Sequence, residues 1–138
     1  MIKVELNDQI GVQVTDNLFQ ELAEKISNSE KMFSTQNVAL MLIDSVEMKR
    51  LNKTWRGRNS ATDVLAFPLD FPESELLGDI IIDTETATRQ KGNKSLRYEL
   101  QILFIHGLLH LLGYDHIAKR DADLMNLKEK EYRNYIKE

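Results

Sequence analysis

Residues Ile102 to Leu112 constrain this sequence most, because all eleven positions are apolar apart from His106, Gly107 and His110. Such a stretch is too short to cross a bilayer, which takes about 20 apolar residues. It has no polar face to leave in water, so it predicts a helix buried on every side, capped by Ser95 and running through Leu112. The rest of the chain must supply the layers that cover it. At 138 residues, 42% of them hydrophobic and 29% charged, the sequence suits one domain with one core. No repeat, linker or low-complexity segment divides it, so residues 1–138 are read as a single α+β domain.

The covering elements follow from local patterning. Ile2-Lys3-Val4-Glu5-Leu6 alternates apolar and polar residues, as a half-buried strand does. Leu18, Phe19, Leu22, Ala23 and Ile26 recur at helical spacing after Thr15 or Asp16, either of which can cap. Asn37 to Ile43 is a short apolar run that predicts a central strand covered on both faces. Val46, Met48, Leu51 and Trp55 predict a second helix, with Trp55 read as core rather than as a base-stacking surface. Val64 to Phe67, stopped by Pro68, and Gly78 to Ile82 add two strands, joined by an acidic, proline-containing connection. The expected architecture is therefore a mixed sheet of four strands packed with helices. A charged helix from Lys119 to Ile136 closes the chain.

Composition narrows the chemistry. The absence of cysteine excludes disulfides and thiolate metal sites, leaving histidine and carboxylate as metal ligands. The start, MIKVELND, lacks the features of a signal peptide, so a cytoplasmic protein is expected, with no membrane partner. A net charge of -4 argues against a protein that binds nucleic acid through its overall field, without excluding a local basic groove.

All three histidines fall in one segment, His106-Gly107-Leu108-Leu109-His110-Leu111-Leu112-Gly113-Tyr114-Asp115-His116. His106 and His110, four apart on a helix, share a face with Cβ atoms about 5 to 6 Å apart. Gly113 can take the left-handed conformation that ends a helix and lets the chain return with His116. The alternative, histidines merely packed in a core, suits one such residue better than three. Three imidazoles with one position left open match a catalytic zinc pattern, whereas structural sites use four ligands. One zinc ion per chain is therefore expected, although imidazole also accepts nickel, copper or iron. Asp115 could orient a histidine, add a ligand or cap the final helix. The segment is close to the zinc-protease pattern H-E-x-x-H-x-x-G-x-x-H, but Gly107 replaces the glutamate that serves as general base.

A second feature is basic. Lys49, Arg50, Lys53, Arg56 and Arg58 cluster without an intervening acidic residue, in a chain that is acidic overall. The lysines read as a solvated helix face. Arg56 and Arg58 flank Gly57 in a tight loop, where the planar guanidinium suits bidentate binding of a phosphate.

Together these segments resemble the YbeY family of bacterial metal-dependent endoribonucleases. HGLLHLLGYDH, from His106 to His116, is similar to the family's H-G-x-L-H-L-x-G-Y-D-H. LNKTWRGRNSATDVLAFP, from Leu51 to Pro68, is similar to its L-N-x-x-x-R-x-x-x-x-x-T-D-V-L-S-F-P, and Gly78-Asp79-Ile80 also fits. The resemblance covers essentially the whole chain; Ala66 stands where serine is common, and Ser60-Ala61 departs from the usual loop. It implies that His106, His110 and His116 hold zinc and that Arg56 is the catalytic arginine. It further implies single-stranded RNA as substrate, action on ribosomal RNA including 3′-end maturation of the small-subunit rRNA, ribosome quality control, and ribosomal subunits as partners. Two rivals accompany it: a zinc peptidase or amidase, weakened by Gly107, and an RNA-binding assembly factor whose metal is structural.

Overall fold

The structure is a computed structural model and describes residues 1–14, 16–69 and 74–138. Its elements run β1 (Ile2–Asp8), α1 (Asp16–Ser29), β2 (Gln36–Ile43), α2 (Ser45–Arg56), β3 (Val64–Pro68), β4 (Leu76–Asp83), α3 (Thr84–Gln90), α4 (Leu96–Leu111) and α5 (Lys119–Arg133). Thr15, one of the two candidate caps of α1, lies outside the described residues, as do residues 70–73 of the acidic connection.

One four-stranded sheet has the order β1-β2-β4-β3. β1, β2 and β4 run parallel, and β3 pairs antiparallel with β4 at the sheet's edge. The expected mixed α+β sheet is thus present. The period of two in the strands decides which residues meet which helices. Val38, Leu40, Leu42, Ile80 and Ile82 turn to one face, where they join Phe19, Leu22 and Ile26 of α1 and Phe104, Leu108 and Leu109 of α4 in the main core. On the opposite face Ile43, Leu65 and Ile81 meet Met48 of α2 in a smaller cluster. β2 is covered on both faces at its C-terminal end alone, because Asn37 and Ala39 remain half-buried on the α2 side.

α4 is the helix the sequence predicts. Ser95 caps it by accepting from the Tyr98 N–H, and residues from Leu100 to Leu111 are buried around most of its circumference. It can lie directly on β4 because Gly107 has no side chain: a Cβ there would sit 2.8 Å from Cγ2 of the fully buried Ile80. Gly107 is therefore a close-approach residue facing the sheet, and a glutamate at that position would displace Ile80.

The reading of α2 is corrected. Trp55 is not core but 69% exposed, and Val46 is exposed as well; Met48 is buried and Leu51 half-buried as their spacing implies, and Asn52 is buried beside them. The helix exists, but its buried stripe passes through Met48 and Asn52 and leaves Trp55 outside, with Asn52 held in by donating to the Ser60 carbonyl. α3 has no apolar stripe to announce it, burying Thr84 and Ala87 only. It is nucleated by Asp83, whose carboxylate accepts from the N–H groups of Glu85 and Thr86. Among the described residues no helix is long and apolar enough to cross a membrane.

Candidate metal centre

The four-residue spacing on α4 brings His106 and His110 together, with their Nε2 atoms 3.1 Å apart. Leu112 caps the helix, and Gly113, at φ 99°, reverses the chain with a left-handed conformation that other residues rarely adopt. The returning segment is anchored at Tyr114, whose hydroxyl donates to Glu30 Oε1 at 2.8 Å just beyond α1. Glu30 also accepts from the Tyr132 hydroxyl and lies 3.3 Å from Lys128 Nζ, both on α5. Burial first, then the adjacent Glu30, pushes the Tyr114 phenol up to about 12, which keeps it a proton donor at neutral pH.

This anchoring delivers His116. Its ring stacks on His106 with centroids 5.2 Å apart and lies 5.8 Å from His110. One nitrogen from each histidine falls within 4.8 Å of the others. Three nitrogens at about 2.0 to 2.1 Å from a tetrahedral ion would be separated by roughly 3.4 Å. The His106–His110 separation already matches that spacing, so the donor set fits a divalent metal. Burial, followed by the charges of His106 and His116, holds the His110 imidazole below its ordinary pKa. A neutral imidazole is the form that ligates.

A fourth group enters from α5. Glu129 Oε1 lies 2.8 Å from His106 Nδ1 and 3.6 Å from His116 Nε2, while Arg133 approaches its other oxygen at 3.9 Å. Burial raises the Glu129 carboxyl, but the hydrogen bond from His106 and the nearby positive charges outweigh it, and the net direction is down. A carboxylate can accept only, so Nδ1 of His106 carries the proton and Nε2 keeps its lone pair toward the site. Sequence reasoning gave such a role to Asp115 as one of three options. Asp115 instead accepts from the Ile117 N–H, a local turn contact. Glu129 was missed because it sits among alternating lysines and glutamates. The available signal was its register: Met125 and Tyr132 are the buried residues of α5, and Glu129 falls on the same stripe.

His106 and His110 open into a cavity of about 670 Å³ whose walls also include Arg56, Asp63, Ala66 and Tyr114. Arg56 reaches it from the C-terminus of α2, whereas Arg58 is not part of its wall. Arg50 is committed to an ion pair with Glu47, and Lys49 and Lys53 are exposed, as expected of a solvated face. The cavity therefore places the Arg56 guanidinium with two imidazoles of the three-histidine cluster.

The profile of Endoribonuclease YbeY matches residues 2–137. Proteins named Endoribonuclease YbeY from Finegoldia magna and Nautilia profundicola are 36% and 39% identical, over 90% and 78% of this chain and 86% and 77% of theirs. One from Anaeromyxobacter is 43% identical over 68% of the chain, which spans about half of that relative's length, 51%. The solution structure of TM1509 from Thermotoga maritima superposes with a TM-score of 0.63 at 31% identity, covering 97% of this chain and 87% of that one. With the match running from the first strand to the residue before last, the chain belongs to the endoribonuclease YbeY family.

Proposed function

We propose that the protein is a zinc-dependent endoribonuclease that cleaves single-stranded RNA, and that it acts in the cytoplasm on ribosomal RNA. Within that reading it matures the 3′ end of small-subunit rRNA and takes part in ribosome quality control, with ribosomal subunits as partners. The observation that carries the nuclease reading is that Arg56 lines the same cavity as His106 and His110, two members of the three-histidine cluster. The ribosomal assignment rests on the family resemblance.

His106, His110 and His116 are the residues that would hold the ion. Zinc bound there would supply Lewis-acid chemistry, polarising a phosphoryl oxygen and making water reactive near neutral pH. The chain's own groups do the rest. Glu129 fixes the proton of His106 on Nδ1, and the Glu30–Tyr114 hydrogen bond holds the segment that carries His116. Arg56 binds the non-bridging oxygens of the phosphodiester and offsets negative charge as it develops in the transition state. Trp55, exposed beside Arg56, offers a face on which a neighbouring base can stack. Gly107 disfavours the peptidase alternative, since the carboxylate base of that chemistry has neither a residue nor room at this position.

The test is an Arg56→Ala variant assayed on single-stranded RNA with its zinc content measured in parallel. Loss of cleavage with metal and fold retained supports the reading, and undiminished cleavage removes Arg56 from it. Product ends report the nucleophile. Water attack leaves no 2′,3′-cyclic phosphate, whereas attack by the RNA's own 2′-hydroxyl does.

A further inference from the structure

We propose that the free edge of β3 is a nucleobase-binding site, at which the backbone N–H and C=O of Ala66 pair with the Watson–Crick edge of one unpaired base. The proposal rests on the nuclease reading above and supplies a physical origin for single-strand selectivity.

β3 has β4 on one side and no strand on the other among the described residues. In an antiparallel pair, alternate residues direct both backbone groups to the partner strand. Asp63 accepts from the Asp83 N–H at 2.9 Å, and Leu69 donates to the Leu77 carbonyl at 3.0 Å, so the odd-numbered residues face β4. The Phe67 carbonyl agrees, lying 2.4 Å from where a Cβ on Gly78 would be. Val64, Ala66 and Pro68 therefore direct their backbone groups to the open edge.

That edge is unusual in what it offers. The Val64 N–H already donates to Asp63 Oδ1 at 2.8 Å, and proline has no N–H. What remains is a single donor, on Ala66, between acceptors. An added peptide strand needs donors recurring every second residue, and this edge cannot supply them. A planar base needs one donor beside one acceptor, which adenine, uracil, guanine and cytosine all present on their Watson–Crick edges. A base engaged in a duplex has already used that edge. The site would thus accept any unpaired base and reject a paired one, in keeping with the way proteins read single-stranded RNA.

Its position suits the chemistry. Ala66 lies opposite Ile80 in the sheet register, and Ile80 is the residue against which Gly107 packs, so Ala66 stands level with the turn of α4 that carries His106. Ala66 lines the same cavity as His106, His110 and Arg56. Val64 and Ala66 also pack their side chains against the main core, which holds the edge in place.

The experiment measures binding of the zinc-loaded protein to a short single-stranded RNA, to its duplex, and to the same strand carrying N1-methyladenosine and N3-methyluridine, whose Watson–Crick edges are blocked. A second protein carries lactic acid at position 66, which replaces the N–H with an ester oxygen without adding bulk. The wild type should bind the unmodified strand roughly tenfold more tightly than the blocked strand, and the ester protein should lose that difference. Equal loss of affinity for all three probes, or an ester protein indistinguishable from wild type that still cleaves, overturns the proposal and leaves the nuclease reading intact. Binding of an extended peptide that depends on the Ala66 N–H, with none of RNA, overturns both.

Discussion

α4 and α5 both contribute to the histidine cluster, but they encode their contributions in opposite ways. α4 carries His106 and His110 in a four-residue spacing that a helix brings together, on a segment so apolar that burial is its only outcome. α5 is charged over most of its surface and contributes Glu129, 23 residues from its partner His106. The histidine pair is a local property of the sequence, whereas its orientation depends on docking a second helix. Chemistry can therefore be legible where its support is not.

Substitutions on the two helices should separate these contributions. The largest effect is expected at His110→Ala, which should abolish stoichiometric zinc binding in elemental analysis and cleavage with it, because two imidazoles remain where three are required. Arg56→Ala should lower kcat by about 10²- to 10³-fold at unchanged zinc content. Glu129→Ala should weaken zinc binding by about 10- to 100-fold in chelator competition, with Glu129→Gln recovering part of the loss because an acceptor oxygen remains. Wild-type affinity in Glu129→Ala would break the comparison, leaving α4 and its turn sufficient on their own. Gly107→Ala should cost about 1 to 3 kcal/mol in denaturant unfolding, since the new Cβ must move the buried Ile80.

The smallest expected effect is a pH dependence. Burial raises the Glu30 carboxyl, but hydrogen bonds from Tyr132 and Tyr114 and the charge of Lys128 bring it below its ordinary value of 4.5. A group whose folded pKa is depressed stabilises the fold above the unfolded pKa and loses that contribution as pH falls through the folded one. The melting temperature should therefore decline as pH drops below about 4.5, and Glu30→Gln should flatten that decline.

Much of the architecture was legible because it rests on short-range patterns. The four strands, the buried α4, its Ser95 cap and the Gly113 turn each follow from residues close in sequence. Failures mark places where tertiary contacts outweighed local pattern. Trp55 has the spacing of a core residue, but α2 rolls its buried stripe toward Met48 and Asn52, and the indole ends in solvent. α3 escaped notice because a capping carboxylate rather than an apolar face defines it. The loop pointed to Arg56 and Arg58 alike and only the family resemblance favoured Arg56; nothing local indicated that it, and not Arg58, would reach the histidine cavity. Gly107, read as a missing base, turned out to be a packing requirement as well.

If the three histidines form a catalytic rather than a structural metal centre, activity must follow metal occupancy. The most direct measurement strips the protein of metal and titrates zinc back while following cleavage of a single-stranded RNA. Cleavage should be absent at the start, rise with added zinc and saturate at about one ion per chain. Full cleavage by the metal-free protein, or binding of one zinc with no cleavage at any point of the titration, would contradict it.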